Sequence, residues 1–448
     1  MVIESLKYKI LQQFGFAPTQ EQGQALDTFV SFLTDRDPQA VMILRGSAGT
    51  GKTSLSGAIV RTLLQIRQKV MLLAPTGRAA KVFSLGSGAP AYTIHRRIYR
   101  EKAFAGVDGQ FGLNDNLYTD TLFMVDEASM IANMGLGGTT FGSGCLLDDL
   151  VKFVYQGHND RLLLIGDKAQ LPPVGEEESP ALSASVMEGY GLKVYECDLN
   201  EVLRQSQSSG ILYNATLIRQ MITHDAVTGL PLIRFKGFAD IVMLPGAELV
   251  ESLGDSYHHV GMDETMVITR SNKRANIYNN GIRNMVLDRE EELSSGDMLM
   301  IVKNNYFWTE KEKKESGEGS AGAVPAFLAN GDRAKVLRVS NYIELYGFRF
   351  ATLLLQLPDY DDYEMQVTGM LDTLQSEAPA LTHEQQEELF RQVEEDYQHF
   401  VPLKADRMKS IRQDAYFNAL QIKYAYAVTC HKAVSYTHLR AHETVLDL

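Results

Sequence analysis

The sequence lacks three features that each mark a class of protein. Its cysteines number only three, lie far apart and include no CxxC pair: Cys145, Cys197 and Cys430. This excludes a disulfide framework and gives no indication of a zinc site. The uninterrupted apolar runs reach four or five residues, whereas a transmembrane helix needs about 20. The N-terminus also lacks the basic stretch and apolar core of a signal peptide. We therefore expect a cytoplasmic protein without a membrane contact.

An excess of positive charge is missing as well. The formal net charge is −13, which argues against a surface that coats nucleic acid nonspecifically. A nucleic acid would have to be held locally, by a few placed side chains and backbone amides. The 45% of hydrophobic and 22% of charged residues exclude bulk disorder. A length of 448 residues predicts about three domains.

The first 200 residues contain short apolar runs that each end in a loop. Such continuous runs are typical of strands buried on both faces of a parallel sheet. The runs are residues 41–44, 70–74, 122–125 and 162–165. Apolar residues at helical spacing over 55–66 predict a helix between the first two strands. The fold class predicted here is α/β, and in such sheets ligands bind beyond the carboxyl ends of the strands.

A second α/β segment begins near residue 201, with a helix over 211–222 and a strand over 266–269. A β-rich module with an acidic helix over 384–400 interrupts this segment, and a strand over 424–429 returns to it. The predicted boundaries are therefore 1–200, 201–292, 293–408 and 409–433. Mixed charge and small residues over 310–323 predict a loop. The Asp108–Gly109 pair indicates either a β-hairpin or a surface loop.

The segment after the first predicted strand has the pattern of a phosphate loop. Glycines allow the backbone to wrap a phosphate with its N–H groups, and a helix follows with its N-terminus toward the anion. Lys52 reaches the β- and γ-phosphates, and the Thr53 hydroxyl coordinates Mg²⁺. The nucleotide-binding residues of this loop are Gly46, Ser47, Ala48, Gly49, Thr50, Gly51, Lys52, Thr53 and Ser54.

Two further strand ends carry polar residues suited to nucleotide hydrolysis. Asp126 is expected to hold Mg²⁺ through water, and Glu127 to orient and deprotonate the attacking water. Gln170, in the segment GDKAQLPPV, can contact the γ-phosphate and change partner when the phosphate leaves. Taken alone, Asp126–Glu127 is equally compatible with a helix N-cap, and the Gln170 segment with a plain turn. The phosphate loop earlier in the chain favours the catalytic interpretation.

These motifs, in this order, resemble those of superfamily 1 helicases, in particular the RecD/Dda-like (1B) branch. The resemblance extends from about residue 16 to residue 433. The other matching segments are APTQEQGQAL (17–26), APTGRAAK (74–81), TIHR (93–96), LNEVLRQ (199–205) and AVTCHKA (427–433). By this resemblance, Gln22 contacts the adenine and Arg204 is an arginine finger, catalytic with Lys52, Glu127 and Gln170.

The resemblance further implies two RecA-like P-loop domains with ATP in the cleft between them and an SH3-like module inserted in the second. It implies ATP and Mg²⁺ as cofactors. It also implies a monomeric motor that moves 5′ to 3′ on single-stranded DNA and separates forked duplex DNA, with a hairpin near residues 100–120 as the splitting element. By position, the residues that bind DNA are Thr76, Arg78, His95, His431 and Lys432.

Several observations leave alternatives open. His95 fits a structural role as well as a phosphate contact. Lys273 and Arg274 fit a solvated helix start, and the aromatic residues 306–308 fit core packing. After residue 433 the family's Gln-Gly and a second arginine motif are missing, so we expect a non-native tail from about Val434. The competing functions are a DNA-stimulated ATPase clamp without unwinding, an RNA helicase and an inactive truncated fragment.

Overall fold

The structure is a computed structural model. It describes residues 2–47, 49–103, 110–134, 142–173, 175–201, 209–223, 229–316, 324–325 and 327–433. These residues form two compact units, one ending at Met243 and the other beginning at Leu244. The predicted boundary at residue 200 therefore lies inside the first unit, and the predicted domain limits stay a prediction.

The first unit is built around one parallel sheet. Its helices and strands, in chain order, are α1 (Val2–Phe14), α2 (Gln20–Thr34), β1 (Ala40–Gly46), α3 (Lys52–Gln65), β2 (Lys69–Ala74), α4 (Gly77–Ser87), β3 (Ala91–Thr93), α5 (Ile94–Ile98), β4 (Tyr99–Ala103), β5 (Gln110–Leu113), β6 (Thr121–Val125), α6 (Leu146–Gln156), β7 (Arg161–Gly166), α7 (Ala184–Gly189), β8 (Lys193–Leu199) and α8 (Gly210–Thr223). The strand order in the sheet is β3-β2-β6-β7-β1-β8.

Both faces of this sheet are buried, which explains the continuous apolar runs. Val41 and Ile43 of β1 belong to one hydrophobic cluster, whereas Met42 and Leu44 belong to another. Successive side chains of a strand point to opposite faces. The helices on the two faces therefore leave the carboxyl edge of the sheet as the place where polar loops gather. The α/β class predicted from the sequence is confirmed.

Strands β4 and β5 lie outside the sheet and pair antiparallel with each other. The Asp108–Gly109 turn expected between them lies outside the described residues, so its role as a splitting hairpin stays a prediction.

The second unit contains a closed barrel and a two-stranded parallel sheet. Its elements are α9 (Leu249–His259), β9 (Val267–Thr269), α10 (Asn272–Gly281), β10 (Met298–Ile301), α11 (Phe307–Ser316), β11 (Arg333–Leu345), β12 (Phe348–Leu357), β13 (Tyr363–Met370), α12 (His383–Gln398), α13 (Lys404–Arg412), β14 (Leu420–Tyr424) and β15 (Ala427–Thr429). The barrel consists of β10 to β14, and β15 pairs with β9.

The predicted β-rich module is thus a barrel, although its likeness to an SH3 fold stays a prediction. Its last strand, β14, lies beyond the predicted end of the module at residue 408. The loop predicted over 310–323 is wrong for its first part, because α11 continues to Ser316. Glu and Lys are strong helix formers, and this outweighs the polar composition that suggested a loop. Trp308 is buried in the barrel core. This agrees with the interpretation of the aromatic residues 306–308 as core residues.

Among the helices that the structure describes, none combines the length and apolar character needed to cross a bilayer.

Candidate functional site

The phosphate loop connects β1 to α3 at the carboxyl edge of the sheet. Gly49 and Gly51 adopt φ values of 80° and 81°, a left-handed conformation that favours glycine. Gly46 is required for a different reason, because a Cβ there would lie 2.9 Å from both Leu199 Cβ and Thr50 Oγ1. No side chain caps the N-terminus of α3. The loop therefore presents backbone amides where an anion can bind. Ala48 lies outside the described residues.

Lys52 is the first residue of α3 and folds back over this loop. Its Nζ donates hydrogen bonds to the carbonyl oxygens of Gly46 and Ser47, at 2.6 and 2.8 Å. Burial lowers the pKa of its ammonium group, while the charges of Asp167 and Glu127 oppose the shift. Both carbonyl contacts are local and replaceable. Lys52 can therefore exchange them for phosphate oxygens without any change in the sheet. Thr53 and Ser54 follow on the same helix turn, half-buried and exposed respectively.

Gln22, the predicted adenine contact, is held inside the protein. Its side chain is 1% exposed, and its Nε2 donates to the carbonyl oxygen of Thr50 at 2.9 Å. Its Oε1 accepts from the backbone N–H of Thr19, which completes a capping box at the start of α2. Gln22 thus supports the phosphate loop directly, and its contact with adenine stays a prediction.

Asp126, predicted as a magnesium ligand, and Glu127, predicted as the general base, follow β6 at the same edge. The backbone N–H of Asp126 donates to the carbonyl oxygen of Leu73, which fixes this turn to the end of β2. Glu127 has a φ of 54°, an uncommon conformation for a residue other than glycine and one often found at functional sites. Burial raises the pKa of its carboxyl group, against the opposing charge of Lys52. A raised pKa makes the carboxylate a stronger base near neutral pH.

Gln170 lies beyond β7 and is held from two sides. Its Oε1 accepts a hydrogen bond from Ser129 Oγ at 3.0 Å. A second hydrogen bond joins its side chain to Glu127, and this contact opposes the rise of the Glu127 pKa. The loop that carries it is shaped by Asp167, which accepts from the backbone N–H of Ala169 at 2.9 Å. No feature of the sequence pattern indicates that Ser129 belongs to the site.

Helix α8 brings an arginine to the same edge. Arg219 Nη2 lies 2.9 Å from Asp167 Oδ2, and the two side chains are 22% and 6% exposed. The sequence missed both residues as members of the site. Asp167 was part of a noted motif, but the spacing of Arg219 within an ordinary helix carries no comparable signal. Arg204, the predicted arginine finger, lies outside the described residues.

The predicted DNA-binding residues of the first unit follow β2 and β3. Thr76 is the N-cap of α4, and its Oγ1 accepts from the backbone N–H of Ala79 at 3.2 Å. His95 is half-buried in α5, and burial lowers the pKa of its imidazole. Arg78 is only 2% exposed, so its guanidinium is not available at the surface. Thr76 and His95 are therefore the more accessible of the three.

In the second unit, His431 and Lys432 follow β15. His431 is exposed, whereas Lys432 is half-buried and donates a hydrogen bond to Asn330 Oδ1. Burial, reinforced by the charge of Lys423, lowers the pKa of Lys432 to about 8. Its charge therefore changes within an accessible pH range.

The first unit thus places a phosphate-binding loop and a cation beside carboxylates, at one edge of one sheet. β1, β7 and β6 are neighbours in the sheet. β1 leads through the phosphate loop to Lys52, β7 is followed by Asp167, and β6 is followed by Asp126 and Glu127. This is the donor set that a magnesium-bound nucleoside triphosphate needs for hydrolysis.

The family model of the AAA domain matches residues 17–229. The chain is 30% identical over 157 residues to the ATP-dependent RecD2 DNA helicase of Deinococcus radiodurans. It is also 33% identical over 168 residues to an uncharacterized protein of Methanocaldococcus jannaschii. Each match covers 35% of this chain, but only 18% and 13% of the relative. The chain thus spans less than a fifth of either relative.

Two solved structures are also similar to the chain. The Pif1 helicase from Bacteroides in complex with ADP-AlF3 and ssDNA is 12% identical with a TM-score of 0.44, and the match covers 93% of this chain and 84% of that one. The Pif1 helicase from Candida albicans is 16% identical with a TM-score of 0.42, covering 93% and 86%. Both TM-scores lie below 0.5, so these two structures carry no argument about function.

The resemblance to RecD-like superfamily 1 helicases is confirmed by the AAA domain and its RecD2 relative. The non-native tail expected from Val434 lies outside the described residues and stays a prediction.

Proposed function

We propose that this chain is an ATP-dependent DNA helicase that moves along single-stranded DNA and separates forked duplexes. The observation that carries the proposal is the gathering of Lys52, Glu127 and Gln170 at the carboxyl edge of the AAA-domain sheet. A plain nucleotide-binding protein needs the phosphate loop, but it does not need a buried carboxylate with a raised pKa beside it. The RecD2 relative is named an ATP-dependent DNA helicase, which supports DNA as the polymer.

Each catalytic residue has a role that follows from its contacts. Lys52 binds the phosphates in place of its present loop carbonyls. Glu127 takes the proton from the attacking water. Gln170, which is hydrogen-bonded to Glu127, orients that water or the γ-phosphate. Arg204 is proposed to stabilise the charge that develops on the γ-phosphate. The nucleotide also binds along the loop 46–54. Gln22 supports this loop through its hydrogen bond to the carbonyl oxygen of Thr50.

The residues present fit a magnesium ion. Thr53 supplies a hydroxyl and Asp126 a carboxylate, and hard oxygen ligands of this kind suit Mg²⁺. When bound, the ion neutralises phosphate charge during hydrolysis. Asp126 is half-buried, and its Oδ1 accepts a hydrogen bond from the backbone N–H of Glu127 at 3.0 Å, which orients the carboxylate.

Single-stranded DNA is proposed to contact Thr76, Arg78 and His95 of the first unit and His431 and Lys432 of the second. Because Arg78 is buried, a change of side-chain position would have to expose it, and Thr76 and His95 carry most of the expected contact. The 5′ to 3′ polarity and the monomeric state are proposed from the resemblance alone.

The test is a steady-state ATPase assay with and without single-stranded DNA, followed by unwinding of forked duplexes with 5′ or 3′ tails. We expect DNA to stimulate hydrolysis strongly and only substrates with a 5′ tail to be separated. Lys52→Ala should lower turnover by about 10²-fold or more, because the phosphate loses its buried cation. Lys7→Ala is the matched control, since Lys7 pairs with Asp27, and the two side chains are 29% and 59% exposed.

The outcomes separate the competing functions. Stimulation by DNA without strand separation would indicate a clamp, and stronger stimulation by RNA would indicate an RNA helicase. Hydrolysis that is absent in every condition would reject the enzymatic proposal for this chain.

A further inference from the structure

Arg219 links helix α8 to the nucleotide site. Its guanidinium forms an ion pair of 2.9 Å with Asp167, a carboxylate that is 6% exposed. Asp167 belongs to the loop after β7 that also carries Gln170. A buried carboxylate is retained in its charged form only when a cation or hydrogen bonds compensate it. Arg219 supplies that cation from a helix outside the sheet.

The position of Asp167 makes this compensation relevant to ATP. The strands that precede Asp126, Asp167 and the phosphate loop are neighbours in the sheet, in the order β6-β7-β1. Three carboxylates, including Glu127, therefore lie along the edge at which phosphates are expected. Lys52 is one cation at this edge, and the charge of Arg219 is close enough to oppose that of Lys52. Arg219 is thus a second positive charge at the phosphate end of the site.

Helix α8 is itself firmly tied at its other end. Asp240 accepts hydrogen bonds from Ser209 Oγ at 2.6 Å and from the Gly210 N–H at 2.7 Å. Asn214 exchanges hydrogen bonds with the backbone of Arg234, at 2.8 and 2.9 Å. These contacts fix the first turns of the helix to Arg234 and Asp240.

We propose that Arg219 is a positioning residue of the nucleotide site: it compensates the charge of Asp167 and couples helix α8 to occupancy of the γ-phosphate position. The inference rests on the proposed function, because it requires that the loop binds ATP. Without the arginine, Asp167 loses its ion-pair partner, and the net negative charge beside the phosphates increases. The resulting repulsion grows with the charge of the ligand, so ATP should lose more affinity than ADP.

The experiment measures binding of fluorescent ADP and of a fluorescent non-hydrolysable ATP analogue to the full chain, with Mg²⁺ and without DNA. We expect Arg219→Gln to weaken the ATP analogue by about tenfold or more and ADP by less than about threefold. Arg219→Lys keeps the positive charge and should retain most of the wild-type affinity for the ATP analogue. Asp167→Asn, added to Arg219→Gln, removes the negative charge that the arginine no longer balances. The double variant should therefore regain most of the affinity for the ATP analogue.

Arg100→Gln is the matched control. Arg100 belongs to the same unit, but it lies on strand β4 rather than on helix α8, and its guanidinium forms an exposed ion pair of 3.2 Å with Asp115. It should leave both affinities unchanged. If Arg219→Gln does not fold, Arg219→Lys and the double variant still test the charge argument.

Equal losses of affinity for ADP and for the ATP analogue would overturn the inference. It would also be overturned if Asp167→Asn, added to Arg219→Gln, failed to restore the wild-type ratio of these two affinities. A wild-type chain that binds neither nucleotide would instead reject the proposed function. The two failures are therefore distinguishable.

Discussion

Ser129 Oγ donates a hydrogen bond to Oε1 of Gln170 over 3.0 Å. Ser129 follows the acidic turn after β6, and Gln170 follows β7, so the bond joins two loops at neighbouring strand ends. Its direction also fixes the orientation of the amide, because the carbonyl oxygen faces Ser129. The amide N–H groups are left for Glu127 and for phosphate or water. Ser129 thereby determines what Gln170 can do.

We expect Ser129→Ala to lower kcat for ATP by about tenfold with little change in KM, because a misplaced Gln170 affects the reacting geometry more than binding. Gln170→Ala should have a larger effect. Steady-state kinetics at saturating DNA measure both constants. Ser185→Ala, at an exposed serine of the same unit, is the control. If Ser129→Ala has the same kcat as this control, Ser129 does not orient Gln170 for catalysis.

Glu127→Gln should retain ATP binding and lose hydrolysis by about 10²-fold or more, as expected when a general base is removed. The wild-type kcat should fall as the pH decreases through the pKa of Glu127, because protonation removes the base. Burial raises that pKa above its ordinary value, so the decline should begin at a higher pH than for an exposed glutamate. Nucleotide titration and a pH profile test both points.

Glu188→Gln changes an exposed glutamate of the same unit and should keep full activity. Normal turnover in the Glu127 variant would remove Glu127 as the base.

The sequence predicted the buried strands of the sheet because each of them contains a continuous apolar run of at least four residues. It missed β3 and β8. β3 has three residues, too few for a pattern, and β8 alternates polar and apolar residues because it lies at the edge of the sheet. Polar residues at the carboxyl ends were equally predictable, since the strand ends bring them together.

Contacts between distant segments were not predictable. The hydrogen bond from Gln22 to the Thr50 carbonyl joins residues that are 28 positions apart, and the pair of Arg219 with Asp167 spans 52. Neither residue type nor spacing indicates which partner the fold supplies. The burial of Arg78 is a further example, because an arginine in a polar segment is usually exposed.

Lys432 gives DNA binding a pH dependence, if it contacts phosphate. Its pKa of about 8 means that it is mostly charged at pH 7 and mostly neutral at pH 9. The affinity for single-stranded DNA should therefore fall above pH 8, by at most about tenfold per pH unit for one proton. Fluorescence anisotropy at constant ionic strength measures this slope.

Lys432→Arg should flatten the dependence, because arginine remains charged throughout this range. Some slope should persist, since burial also lowers the pKa of Lys423 to about 8. Lys273→Arg is the control at a lysine that is 70% exposed, and it should behave like wild type. A slope unchanged by Lys432→Arg would argue against a contact between Lys432 and DNA.

Asp297 should stabilise the barrel unit more than any surface ion pair. Its carboxylate is fully buried, and it accepts from Arg283 and Arg289 at 3.0 and 2.6 Å. We expect Asp297→Asn to lower the free energy of unfolding by about 3–5 kcal/mol, because the buried Arg283 and the half-buried Arg289 lose their counter-charge. Asp372→Asn breaks an exposed pair with Arg349 and should cost no more than about 1 kcal/mol.

The pH dependence of this stability has a defined sign. Burial alone would raise the pKa of Asp297, but the hydrogen bonds from Arg283 and its neighbours outweigh burial and lower it. The stabilisation is therefore present above the unfolded pKa of about 4 and is lost as the pH falls through the lower folded value. Urea unfolding followed by fluorescence can measure it, because the sole tryptophan, Trp308, lies in the same core. In Asp297→Asn, the part of the free energy of unfolding that is lost at acidic pH should disappear. If the free energy of unfolding depends on pH as it does in the wild type, other carboxylates cause the acid sensitivity of the barrel.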